Sequence, residues 1–177
     1  MKATLISDSA SDDAKLYEAV GRFTVTFAIA ETCADGMSAI IFNGYGGKTI
    51  IARLPRTISQ KIEFLEAAAE QLPDLASFAA DIKAIVKFFK ALVEPRHFIV
   101  HGIFGETKSK ETVFAKPIVT LDNMHMVHFP ATVETIDKHR AGAECLVRLT
   151  AGLAIRLSDN LSSRIVENKA FLKAKAK

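Results

Sequence analysis

The sequence predicts a mainly α-helical fold, an antiparallel bundle of four long helices with a small β-hairpin inserted before the last. Three observations lead there. Apolar residues recur in steps of three and four over four long stretches, turn-forming residues join those stretches by short links, and one segment near 112–129 changes to β-branched and apolar runs. Helices with one apolar stripe each, joined by short links, must bury the stripes on each other. A chain of 177 residues fits a single domain over 1–177. Folding at that size removes roughly 70% of the unfolded surface, enough for a core without staples.

The first helix follows from Leu16, Val20, Phe23, Phe27, Ala30, Ala34, Met37 and Ile41. Ser11 is its expected N-cap, with Asp12 and Asp13 complementing the helix dipole, and Asn43-Gly44 its stop. Residues 44–55, with three glycines, read as a connection. The second helix is capped by Thr57 and carries Ile58, Ile62, Leu65, Ala69 and Leu72. Pro73-Asp74 separates it from a third, Leu75, Phe78, Ile82, Ile85, Phe89 and Leu92, which Gly102 is placed to close in a left-handed conformation.

The runs TVFAKPIVTL and MHMVHF flank Asp122-Asn123 and predict a hairpin near 112–129, with Pro117 confining the first strand to an edge or a bulge. Thr132 then caps the last helix, whose apolar positions include Ile136, Ala143, Val147, Leu153, Leu157 and Leu161 and whose end is expected near Asn160. A flexible basic tail is expected near 164–177, where Lys169, Lys173, Lys175 and Lys177 read as a solvated end.

Composition narrows the function classes. The longest apolar run, Phe23 to Ala30, is far short of the roughly 20 residues that span a bilayer, so no membrane association is expected. The N-terminus lacks the layout of a secretory signal, and Cys33 and Cys145 stand alone in apolar helical settings, as reduced core thiols do. A cytoplasmic location follows. Residues 1–88 hold nine bases and eleven acids and residues 89–177 fourteen and nine, so a polyanion is favoured near the second half.

Continued past Leu92, the third stripe lands on Arg96 and then Ile99. A guanidinium there needs a carboxylate partner, a path to water, or an anion at an interface, because burying it unpaired costs several kcal/mol. Pro95, just before it, removes an amide donor and is expected to kink the helix. His101 precedes Gly102, where the carbonyl end of the helix dipole favours the imidazolium.

The segment Arg96-His-Phe-Ile-Val-His101-Gly102 resembles the arginine, four to six residues, histidine motif of the HEPN superfamily. The resemblance extends over roughly residues 11–105, from a long first helix with an acidic residue to a third ending in Arg…His-Gly. It implies a HEPN-like helical bundle, directed to RNA, and a metal-independent endoribonuclease site needing no cofactor. It further implies a homodimer pairing two copies of the motif, with His101 in acid–base roles and Arg96 stabilising the phosphorane. Glu31, which borders the first helix's stripe, is the acidic residue the resemblance makes a candidate to orient Arg96; an ordinary surface acid is its other reading. His97 stands where many members place asparagine.

Two other classes compete. One is a catalytically inactive bundle that binds or regulates a protein partner whose identity the sequence does not carry. The other is a metal-binding bundle, since His97 and His101 have the i, i+4 spacing that can chelate zinc, with further ligands needed from His125, His128, Glu94 or His139. The lack of an H-E-x-x-H pattern removes the usual hydrolytic base, and no metal is expected. His125 and His128 read more simply as hairpin surface residues. Gly44, Gly46 and Gly47 do not satisfy a phosphate-loop pattern.

Overall fold

A computed structural model describes the backbone of residues 7–119 and 123–175, with side chains over 13–119 and 123–167. The chain is mainly helical, with four long helices and a three-stranded antiparallel sheet: α1 (Ser7–Gly44), α2 (Ile58–Gln71), α3 (Ala79–His101), β1 (Ile103–Glu106), β2 (Thr112–Val119), β3 (Met124–Pro130) and α4 (Val133–Lys175). It packs as two compact units, each assembled from separated segments. The first combines Met1–Ala28 with Ala91–Glu144, the second Ile29–Lys90 with Cys145–Lys177. Thus α1, α3 and α4 each contribute residues to both.

The stripe of α1 is buried as its spacing requires: Phe23, Phe27, Ala30, Ala34, Met37 and Ile41 are no more than 1% exposed. The helix starts at Ser7, so Ser11 lies within it and is not its N-cap. Over Asp13–Gly44 it is also long and apolar enough, by length and composition, to cross a membrane. A core helix passes the same test. Beyond Gly44 the chain turns through Gly46, at φ 85°, and Gly47, where a Cβ would lie 2.7 Å from the Cα of Phe42 and 2.8 Å from Phe64 Cζ. Only glycine fits at Gly47.

In the second unit α2 opens on a full capping box: the Thr57 hydroxyl accepts from the Gln60 amide and the Gln60 side chain accepts from the Thr57 amide. A 3₁₀ turn over Pro73–Phe78 then intervenes, so α3 begins at Ala79 rather than Leu75. Lys90 pairs with Glu66 at 2.5 Å and Lys83 with Glu70 at 3.9 Å. Along these pairs one residue number rises as the other falls, which makes α2 and α3 antiparallel. Arg156 with Asp81 at 2.6 Å and Arg164 with Asp74 at 2.5 Å give the same sense for α4. The Tyr45 hydroxyl donates to the Leu157 carbonyl at 2.7 Å and lies 3.0 Å from Asn160 Oδ1. Burial raises the Tyr45 phenol above its usual range, which keeps this donor protonated.

In the first unit the expected hairpin is a three-stranded sheet in the order β1-β2-β3. β1 pairs with β2 through Ile103↔Ala115 to Glu106↔Thr112, and β2 with β3 through Val113↔Pro130 to Val119↔Met124. β2, the strand expected at an edge or a bulge, is instead the middle one of the three; Pro117 is accommodated because it lies beyond the last pairing with β1, where β2 has only β3 beside it. Asp122 of the expected turn falls outside the described residues. The Thr132 hydroxyl accepts from the Thr135 amide at 3.1 Å and starts α4. That helix does not end at Asn160, because it continues to Lys175. Asn160, engaged by Tyr45, is a helix-interior residue with a tertiary partner rather than a stop.

Candidate active site

The last turn of α3 carries the residues the sequence singles out. α3 continues through Pro95, although proline supplies no amide for the carbonyl of Ala91. It ends at His101, and the Gly102 amide donates to the Phe98 carbonyl at 2.8 Å. Gly102 is not left-handed; Gly46 is the glycine with positive φ. Close packing calls for it instead. A Cβ at Gly102 would lie 2.4 Å from the Phe98 carbonyl oxygen and 2.9 Å from the Phe114 Cβ, where the helix passes onto the sheet.

The same packing fixes the turn. Phe98 is buried and stacks on Phe129 of β3 with ring centroids 5.6 Å apart and planes 13° apart, and Phe129 in turn meets His139 of α4 at 5.4 Å. Ile99 is 4% exposed. It is turned into the core, so it does not extend an outward stripe with Arg96. The apolar surface beside the turn is supplied by Val100 and Ile103, 36% and 62% exposed.

With Phe98 and Ile99 held inward, Arg96 and His97 are half-buried and His101 exposed. Arg96 Nη1 lies 3.1 Å from His101 Nε2. A guanidinium has no acceptor, so Nε2 accepts, and in this arrangement the imidazole is neutral with its proton on Nδ1. Among the described residues no carboxylate pairs with Arg96. Of the routes open to a stripe-breaking arginine, it takes the one to water, with a histidine as partner. The His97 ring centroid lies 5.8 Å from that of His101. Burial lowers the His97 pKa first, the charges of Lys116 and Arg96 lower it further, and His101 adds to them only when its own ring is protonated. Those influences describe a cationic patch, with Lys116 on β2 as the member the sequence did not mark. Its signal was weak: a lone lysine in a strand, significant only once β2 is seen to pack beside α3.

The other candidates fall elsewhere. Glu31 belongs to the second unit and is half-buried in α1, and its side chain makes no hydrogen bond or ion pair among the described residues. Among the described residues no three His, Cys, Asp or Glu side chains are grouped as a metal would need. His125 and His128 are exposed on β3 and, three residues apart on a strand, face opposite sides of the sheet. Among the described residues His97 and His101 are therefore joined by none of the further ligands a zinc site needs. Cys33 and Cys145 are free and half-buried. No family model, curated protein or solved structure matches the chain.

Proposed function

We propose that the chain is a HEPN-like antiparallel four-helix bundle of the cytoplasm, directed to RNA, whose Arg96 and His101 form a metal-independent endoribonuclease site completed by dimerisation. The observation that carries this reading is the Arg96–His101 hydrogen bond at 3.1 Å on an open face, beside the further positive charge of Lys116. Nε2 of His101, the ring nitrogen that faces Arg96, is the base. When RNA arrives, the guanidinium turns from Nε2 to the scissile phosphate. His101 then takes the ribose 2′-hydroxyl proton, the 2′-oxygen attacks phosphorus, and the phosphorus–5′-oxygen bond breaks to leave a 2′,3′-cyclic phosphate. His101 of the partner subunit, in its protonated form, gives the leaving oxygen its proton. Val100 and Ile103 supply exposed apolar surface for that dimer. His97 sits beside the reacting groups.

The test is turnover of a fluorescently labelled, mixed-sequence RNA and of DNA of the same sequence, each with chelator. RNA is cut and DNA is not, because only RNA carries the 2′-hydroxyl nucleophile. Equal degradation by wild-type and His101→Ala protein would assign the activity to a contaminant. One observation favours a second reading, a non-catalytic partner-binding module: Arg96 already spends a donor inside its own turn. A clean monomer in sedimentation at micromolar concentration, together with inert RNA, would favour that module.

A further inference from the structure

The second unit holds a cleft of about 560 Å³ between the segment that follows α1 and the outer face of α2. Its volume lies within the range of roughly 300–1,000 Å³ typical of small-molecule sites. Ile50, Ile51, Leu54, Phe64 and Ala67 give it an apolar lining. Phe64 is 2% exposed and lies close against Gly47, so its ring is pinned from behind and forms a fixed wall. Leu54, at the lip, leaves 41% of its surface in water.

The rim has a different chemistry. Arg53, Arg56, Gln60 and Glu63 surround the opening. Elsewhere in this unit Lys61, Lys83, Lys90, Arg156 and Arg164 are each paired with a carboxylate, whereas among the described residues Lys48, Lys87 and Arg148 are not; what sets Arg53 and Arg56 apart is that both stand on the rim of one apolar cleft. The side chains of Arg53 and Arg56 have no such partner among the described residues, although Glu63 shares their rim. Two guanidinium groups and one carboxylate leave a single net positive charge at the mouth of an apolar cleft. That pattern is complementary to a molecule with an apolar body and one negative charge, and a guanidinium fork matches a carboxylate geometrically.

We propose that this cleft binds an amphipathic monocarboxylate, its aliphatic chain against Leu54, Phe64 and Ala67 and its carboxylate between Arg53 and Arg56. The site is independent of the Arg96–His101 turn. Calorimetric titration of the full chain with decanoate, below its micellar concentration, gives saturable one-to-one binding. The double variant Arg53→Gln/Arg56→Gln weakens it about tenfold or more, as loss of charged hydrogen bonds implies. Decanol, of the same length without the charge, binds weaker by a similar factor. Ala67→Leu fills the cleft and removes binding while the thermal midpoint is retained; should that variant fail to fold, the exposed rim variant decides alone. No binding of decanoate, or equal binding by decanol and by the rim variant, overturns the proposal.

Discussion

Arg96 Nη1 lies 3.1 Å from Nε2 of His101, five residues further along α3. Residues five apart on a helix point about 140° away from each other, so it is the length of the arginine that brings the two together. The arrangement fixes a tautomer. Nitrogen NMR of the free protein should show His101 protonated at Nδ1 and bare at Nε2, and Arg96→Ala should relax that preference. In the RNA assay His101→Ala should lose roughly 10²–10⁴ in rate and Arg96→Ala a comparable factor, while His97→Ala should lose less. A fully active Arg96→Ala protein would remove Arg96 from the reaction.

His139 gives the stability of the protein a pH dependence. Its pKa is lowered, first by burial and then by the charge of Lys138. The unfolded chain therefore takes up a proton near pH 6.5, before the folded one does, and stability present above that pH is lost as the pH falls below it. Thermal midpoints should drop between pH 7 and 5. His139→Phe should flatten the drop, with His97, lowered in the same direction, accounting for part of what is left. An unchanged slope in the variant would place the titrating group elsewhere.

Gly102→Ala should destabilise the protein by about 1–3 kcal/mol in urea unfolding, the usual range for forcing a methyl group into filled space. Gly152 is the control: it lies within α4 with nothing within 4 Å of an added Cβ, so Gly152→Ala should stabilise by about 0.5–1 kcal/mol. Opposite signs distinguish a packing glycine from a merely helical one.

Lys61 reaches Asp35 at 2.7 Å, with a side chain 5% exposed against 56% for its partner. Removing the carboxylate leaves the ammonium at a largely buried position without its counter-charge, so Asp35→Ala should cost about 2 kcal/mol, a value held down by the water that Asp35 still reaches. Adding Lys61→Met should restore most of that. A double variant as unstable as Asp35→Ala alone would show that packing, not charge, sets the cost.

Much of the helical pattern was legible because burial imposes its period on the sequence. Phe23 to Ile41 and Ile82 to Leu92 could be read as core, and Thr57 and Thr132 as caps, from spacing and side-chain chemistry alone. What escaped was decided by partners distant in the chain. β1 is four residues, Ile-Phe-Gly-Glu, with no alternation to mark it, and exists because β2 pairs with it. Asn160 has the side chain of a helix stop, but inside α4 it is engaged by Tyr45. Ile99 and Arg96 shared a stripe on paper, but Ile99 is core and Arg96 bonds to His101. Arg96 and His101 themselves could be named from sequence, whereas Lys116 required the fold.

The two methionines of β3 turn the edge of the sheet into a chemical gauge. Met124 and Met126 are 66% and 42% exposed, while Met37 is 0% exposed in the core. Dilute peroxide should convert the first two to sulfoxides long before it reaches the third, exchanging apolar surface for polar without opening the core. Peptide mass spectrometry would follow each sulfur separately. Any partner that settles over β3 would then announce itself as a slowing of oxidation at Met124 and Met126, and an early sulfoxide at Met37 would report that the core had opened.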